Sequence, residues 1–196
     1  MKPFRVVVAA LVGGIIMFAW SAFLHMATPL GEAGMKSLPA ESTVMPVLKQ
    51  SLPEAGFYMF PGLEKGPDGQ PTEAWVEKHR TGPAGILIFQ PIGGEPMTPR
   101  HFIVEFGADV AGAFLAAIIL GIAAKAGCSR CCGCCIGLGL GLFAWVNIDV
   151  SLWNWYNFPC ELILAGLADQ GIGWLVAGGA MGLIIGNGQK CTAAAA

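Results

Sequence analysis

The chain has 196 residues, 55% of them hydrophobic and 12% charged, with a formal net charge of −2. A soluble domain carries about twice that share of charged residues, so an ordinary soluble enzyme is disfavoured. The near-neutral balance and the lack of a basic stripe argue against a nucleic-acid partner. The 28 glycines and a mean hydropathy of +0.62 point to a small multi-span membrane protein, since glycine is enriched in membrane helices.

Lys2 and Arg5 precede an apolar, uncharged run from Val6 to Leu24. About 20 residues are needed to cross ~30 Å of hydrocarbon, so residues 1–24 are predicted to form a first span. A cleaved signal peptide is the rival reading. The length of the run and the lack of a clean small-x-small site after it weigh against cleavage.

Residues 25–100 differ in kind. They hold eight of the thirteen acids, six basic residues and most of the prolines. Leu38–Leu52 has helical spacing, with Ser37 as a possible cap. Phe57–Phe60 and Ile86–Phe89 read as short strands bounded by glycine and proline. Pro71–His79 reads as a helix with proline in its first turn. Such an insert buries little apolar surface by itself.

Residues 101–125 are predicted as the second span and 126–133 as a basic, cysteine-rich turn. Residues 134–153 form the third span, 154–160 an outer turn, 161–187 the fourth span and 188–196 a tail. The expected fold is an all-α membrane protein, a four-helix transmembrane bundle with a small α/β extracytoplasmic insert between the first two spans. Outside the insert the basic residues are Lys2, Arg5, Lys125, Arg130 and Lys190, and with four spans all fall on one side. The positive-inside rule makes that side cytoplasmic, with both termini there. Trp153, Trp155 and Tyr156 then sit at the outer aromatic belt.

Three patterns carry chemistry. Cys128, Cys131, Cys132, Cys134 and Cys135 crowd into eight residues. Dense thiolates bind zinc, Cu(I) or iron–sulfur clusters, but no second pair completes a four-cysteine site. The bland reading is small apolar residues at a tight turn, and a cytoplasmic turn is expected to stay reduced. Gly133, Gly137 and Gly141 recur every four residues in the third span, as do Gly178, Gly182 and Gly186 in the fourth. Small residues on one helix face permit close helix approach, so the two stripes are expected to pack together, closest at Gly137/Gly141 and Gly178/Gly182. An oligomer contact is the alternative.

The third pattern is acidic. Glu105, Asp109, Asp149, Glu161 and Asp169 all map to the outer half of the membrane. At 1.5 Å per residue, Asp109 lies about 10 Å below the outer surface, Asp149 about 6 Å and Asp169 about 13 Å. Asn147, Gln170, His25 and His101 add polar groups in that zone, and His101, Glu105 and Asp109 share one helix face. Glu161 reaches the interface. Intramembrane acids face a bundle interior or a wet cavity. A shared polar pocket is therefore expected from Asp109, Asp149, Asp169, Asn147, Gln170, Glu105, His101 and His25. The wide Trp145 and Trp174 are expected to push the outer halves of the last two spans apart.

No metalloprotease, nucleophile-elbow or phosphate-loop motif is present, so no catalytic residue and no cofactor is expected. The leading functional expectation is a non-enzymatic accessory or structural subunit. Such a subunit would contact lipid and either a protein partner or further copies of the chain. A small transporter or proton- or cation-binding protein is the alternative, and a metal or redox protein using the cysteines is the third.

At Trp20-Ser21-Ala22-Phe23-Leu24-His25-Met26, Pro29-Leu30-Gly31-Glu32, Phe57-Tyr58-Met59-Phe60-Pro61-Gly62 and Trp153-Asn154-Trp155-Tyr156, the chain resembles a group of bacterial four-span membrane proteins with no assigned activity. The resemblance implies the four-span architecture and a bacterial inner membrane. It implies no functional residue, and the cysteine cluster lies outside the shared pattern.

C-terminal reporter fusions test the topology. Cytoplasmic-type signal is expected after the second and fourth spans and periplasmic-type signal within the insert; a periplasmic C-terminus overturns the orientation.

Overall fold

A computed structural model describes residues 3–186. In chain order it contains α1 (Pro3–Ala27), a 3-10 turn (Pro29–Glu32), α2 (Glu41–Ser51), β1 (Gly56–Phe60), α3 (Glu73–Thr81), β2 (Gly85–Phe89), α4 (Pro99–Lys125), α5 (Cys132–Tyr156) and α6 (Cys160–Ile185). Helices α1, α4, α5 and α6 are 25 to 27 residues long and apolar enough to cross a membrane. Each overruns its predicted span by a few residues at one or both ends, except that α6 stops short of 187. Lys36–Pro96 forms one compact unit and the remaining segments form another.

The smaller unit is thus shorter at both ends than the expected 25–100 insert. His25 belongs to the last turn of α1. Beyond it, Thr28 Oγ1 donates to the Leu24 carbonyl at 2.6 Å and accepts from Leu30 N–H at 3.2 Å. One hydroxyl therefore closes the helix and starts the 3-10 turn. Gly31 then runs against the end of α1, where an added Cβ would lie 2.7 Å from His25 Cα.

Within Lys36–Pro96, β1 and β2 pair antiparallel, with Gly56 opposite Phe89 and Phe60 opposite Gly85. Ser37 does not cap α2. The helix starts at Glu41, behind Ala40 in the left-handed region at φ 52° and without a side-chain cap. Pro39 explains the late start, because a residue before proline is pushed away from helical backbone. Helix α3 begins at Glu73 rather than Pro71, since Thr72 accepts a hydrogen bond from Trp75 N–H at 3.1 Å and so takes the cap position. Pro71 stays outside. Trp75 Nε1 donates to the Pro61 carbonyl at 3.2 Å, and Lys78 pairs with Glu64 at 2.5 Å. Phe89 is the one buried residue of this unit, so surface ties supplement a very small core.

In the helical unit the most extensive packing joins α5 to α6, then α1 to α4 and α1 to α6; α4 and α5 barely meet. The core is built largely from small residues, Ala9 and Ala10 of α1 and Ala113, Ala116, Ala117 and Ala124 of α4, packed around the larger Met181 and Ile185 of α6. Small side chains let helix backbones approach, which supplies van der Waals contact where lipid removes the hydrophobic drive.

The approach is closest between α5 and α6. An added Cβ at Gly133 would sit 2.8 Å from Gly182 Cα, one at Gly137 would sit 2.9 Å from Gly178 Cα, and one at Gly178 would sit 2.7 Å from Gly137 Cα. The missing Cβ positions of Gly133, Gly137 and Gly141 point at the carbonyl oxygens of Gly178, Trp174 and Gln170. That geometry suits Cα–H···O contacts, worth roughly 0.5–1 kcal/mol each. The register is one turn away from the expected one: Gly133 and Gly137 face Gly178 and Gly182, while Gly141 faces Gln170 and Trp174 and Gly186 faces Arg130.

A second close approach joins α1 and α4. A Cβ at Gly14 would lie 2.8 Å from Val110 Cα, and one at Gly13 would lie 3.0 Å from Ala113 Cβ. The stripe Ala113, Ala117, Gly121 has the same four-residue spacing as the glycines.

Gly137→Ala is expected to lower stability by roughly 1–3 kcal/mol, because the obstructing atoms are backbone and cannot rotate away. Gly139 supplies the internal control: nothing lies within 4 Å of a Cβ there, so Gly139→Ala should be neutral or slightly stabilising. Thermal unfolding of both variants in detergent checks the pair, and equal midpoints would remove the contact.

Candidate functional site

At the end of the helical unit opposite the cysteine turn, the close-packed core gives way to a cleft of about 390 Å³. Phe18, Ser21, Ala22, His25 and Met26 of α1, Phe102 and Glu105 of α4, Asp169 of α6 and Met97 line it. Phe18 and Phe106 meet edge to face at 5.7 Å, tying α1 to α4 beside it.

Asp169 is the centre of the polar contacts. Its side chain is only 13% exposed. Oδ2 accepts from Ser21 Oγ at 3.4 Å and lies 3.6 Å from His25 Nε2. Ser21 and His25 are four residues apart, so α1 presents both on one face. Trp20 Nε1 donates to the Asp169 backbone carbonyl at 3.2 Å. Its ring has room because Gly173 is bare: a Cβ there would sit 2.8 Å from Trp20 Cδ1. The α1–α6 crossing therefore fixes the carboxylate from the backbone side as well.

Asp169 Oδ1 and Asp109 Oδ2 are both buried and accept no hydrogen bond among the described residues. Glu105 and Asp169 line the cleft, whereas Asp109, one turn further along α4 than Glu105, is not among its lining residues. A buried polar atom without a partner costs about 1–3 kcal/mol, and more when charged. Two acids, one on α4 and one on α6, thus each keep an oxygen without a donor among the described residues.

The other expected members separate. Asp149 points at Gly166 of α6, where an added Cβ would come within 3.1 Å of its Cγ. It does not line the cleft. Asn147 is exposed and donates to the Phe143 carbonyl of its own helix at 2.8 Å, so it does not join the pocket. Gln170 does not either: its Oε1 accepts from Trp174 Nε1 at 3.1 Å, while its carbonyl faces Gly141. His101 is a capping residue, with Nδ1 accepting from Thr98 N–H at 3.0 Å. It is spent on the start of α4, whose first turn needs an acceptor.

The tryptophans do not wedge α5 from α6. Trp145 Nε1 donates across to the Ile163 carbonyl at 2.8 Å. The Trp174 ring reaches toward α4, where a Cβ at Gly112 would sit 3.4 Å from it. The cleft consequently opens along α1 and α4. Ser21 and Trp20 are functional neighbours that the sequence reading missed; the Ser21–His25 spacing on the first span was the available signal.

Among the described residues, no group of three or more His, Cys, Asp or Glu side chains is arranged to hold a metal ion. Cys128, Cys132, Cys134, Cys135 and Cys160 are free thiols. Cys131 is disulfide-bonded, contrary to the expectation of a fully reduced turn. The chain matches no family model, no curated protein and no solved structure.

Gly166→Ala is expected to cost roughly 1–3 kcal/mol, because the new methyl overlaps the Asp149 carboxylate. The double variant Gly166→Ala, Asp149→Ala should recover most of that loss; a double-mutant cycle of thermal stability in detergent measures it, and additivity would show that the two residues do not touch.

Proposed function

We propose that this protein is a small multi-pass membrane protein whose working site is the Asp109–Asp169 carboxylate pair, taking a proton or a small cation through the cleft. The observation that carries the reading is the pair of buried carboxylate oxygens, Asp109 Oδ2 and Asp169 Oδ1, without protein donors. Ionisable groups held in the apolar zone are costly and pair with something, and His25 and Ser21 occupy only one of the four oxygens of the pair. In this reading Ser21 and His25 orient Asp169, Glu105 draws cations into the cleft mouth, and Asp109 completes the site.

A second reading, an accessory or structural subunit, is favoured by α5. It is the least buried of the four long helices, and Phe143, Val146, Ile148 and Trp153 leave it exposed. A partner helix or a second copy would cover that face, and the two readings are compatible. In this reading the site faces the outside of a bacterial inner membrane, and the positive-inside rule supports Arg5, Lys125 and Arg130 on the cytoplasmic side. The disulfide at Cys131 is the opposing observation, because disulfides are rare in the cytosol; the reporter fusions decide between them.

The test uses the full chain in lipid nanodiscs. If a cation is bound, one of sodium, potassium, magnesium or calcium raises the thermal stability of the wild type, by about 2.7 kcal/mol at a hundredfold excess over Kd. The Asp169→Asn variant should show no such rise, and Asn147→Ala should keep it. If a proton is bound, the infrared band of a protonated carboxyl is present in the wild type at neutral pH and lost in Asp109→Asn or Asp169→Asn. Absence of both responses would make the pair structural.

A further inference from the structure

The cleft is larger and more apolar than the binding of a proton or a metal ion requires. Its volume of about 390 Å³ falls within the ~300–1,000 Å³ of small-molecule sites. Phe18, Ala22, Met26, Met97 and Phe102 supply an apolar lining. Glu105 and Asp169 supply the acids, and no Lys or Arg stands among the lining residues described.

These walls select the class of cation. A hard metal ion such as calcium takes about six to eight oxygen ligands. The cleft offers two carboxylates and the Ser21 hydroxyl, and that hydroxyl already donates to Asp169 Oδ2. Among the described residues no group of three His, Cys, Asp or Glu is arranged to hold a metal ion. A metal ion moved against phenylalanine and methionine would give up its water without replacing it. An organic ammonium ion differs, because apolar substituents cover its charge and aromatic faces attract it. Methionine is flexible and polarizable, so Met26 and Met97 suit an apolar substituent of irregular shape. The negative charge is held in place: Ser21 and His25 both address Asp169 Oδ2, and Oδ1 keeps no donor. Glu105 follows Phe102 by three residues on α4, so one helix face carries an acid beside an aromatic ring.

Resting on the carboxylate reading above, we infer that the cleft binds an organic ammonium ion bearing an apolar or aromatic group. The charged head lies toward Asp169 and Glu105, and the apolar group lies along Phe18, Phe102, Met26 and Met97.

The test titrates the full chain in lipid nanodiscs with benzyltrimethylammonium by calorimetry, with empty nanodiscs subtracted. Saturable binding is expected. Neopentylbenzene, in which carbon replaces the charged nitrogen, should show none. Tetramethylammonium, with the charge but no ring, should bind about tenfold more weakly or worse, because it buries no ring. Asp169→Asn should weaken binding about tenfold or more, and Glu105→Gln should weaken it in the same direction. Phe102→Leu keeps the apolar wall and should cost about two- to fivefold. Asn147→Ala should bind as the wild type does. Glu105 and Phe102 are exposed, so their variants are the least prone to misfolding, and matching thermal midpoints show that each variant is folded. Equal affinity for neopentylbenzene or tetramethylammonium, or unchanged binding in both acid variants, overturns the inference. A stability rise with an inorganic cation but no benzyltrimethylammonium binding also overturns it and leaves the carboxylate site standing. Failure of every response, with no protonated-carboxyl band, removes site and inference together.

Discussion

Backbone-to-backbone approach is the constraint on which the helical unit depends. Gly133 and Gly137 lie against Gly178 and Gly182 so closely that no side chain fits between them. Gly14 lies against Val110 in the same manner. In water such contacts would add to a hydrophobic core, but between helices in lipid they are the main source of attraction. Position along and rotation about each helix axis are then fixed together, because a glycine stripe has only one side. Turning α6 to bring Gly178 onto α5 also turns Asp169 toward Ser21 and His25 of α1. The site is a by-product of the packing, set at a distance by helices that are stiff over their whole length.

Seen this way, the polar groups divide by what their neighbours provide. Asn147, Gln170 and His101 each find a partner within their own helix or its cap, so burial leaves little to be resolved. Asp109 and Asp169 lack that relief at one oxygen each. A protein that needed those acids only for structure would be better served by amide side chains, which carry their own donors and no charge. That two carboxylates stand where amides would serve is the contrast behind the proposed proton or cation site.

Much of this was legible in the sequence, for identifiable reasons. Hydropathy located all four long helices because length and apolarity are independent of tertiary detail. The glycine stripes of α5 and α6 were legible because a four-residue repeat has a fixed geometric meaning. Their register was not, since it depends on the length of the turn at 157–159 and on Asn157, which ends α5 in the left-handed region at φ 55°. The acids were found by depth alone, and depth says nothing of azimuth. Asp149 therefore separated from the cleft, and Asn147, two residues earlier, turned outward. The stripe of Ala113, Ala117 and Gly121 was readable by the same rule as the glycines, yet alanine in an apolar span is too common to stand out. His101 looked like a pocket residue because its spacing to Glu105 and Asp109 is helical; its capping role emerges only once Thr98 is known to precede the first turn.

Helix α1 is pinned at two levels. Gly14 meets Val110 of α4 backbone to backbone. Ten residues on, about 15 Å along the axis, Leu24 is buried, and one turn before it Trp20 holds the Asp169 carbonyl. A rod held at two levels has little room to tilt, so the distance from His25 to Asp169 is set by the seating of the whole helix rather than by one side chain.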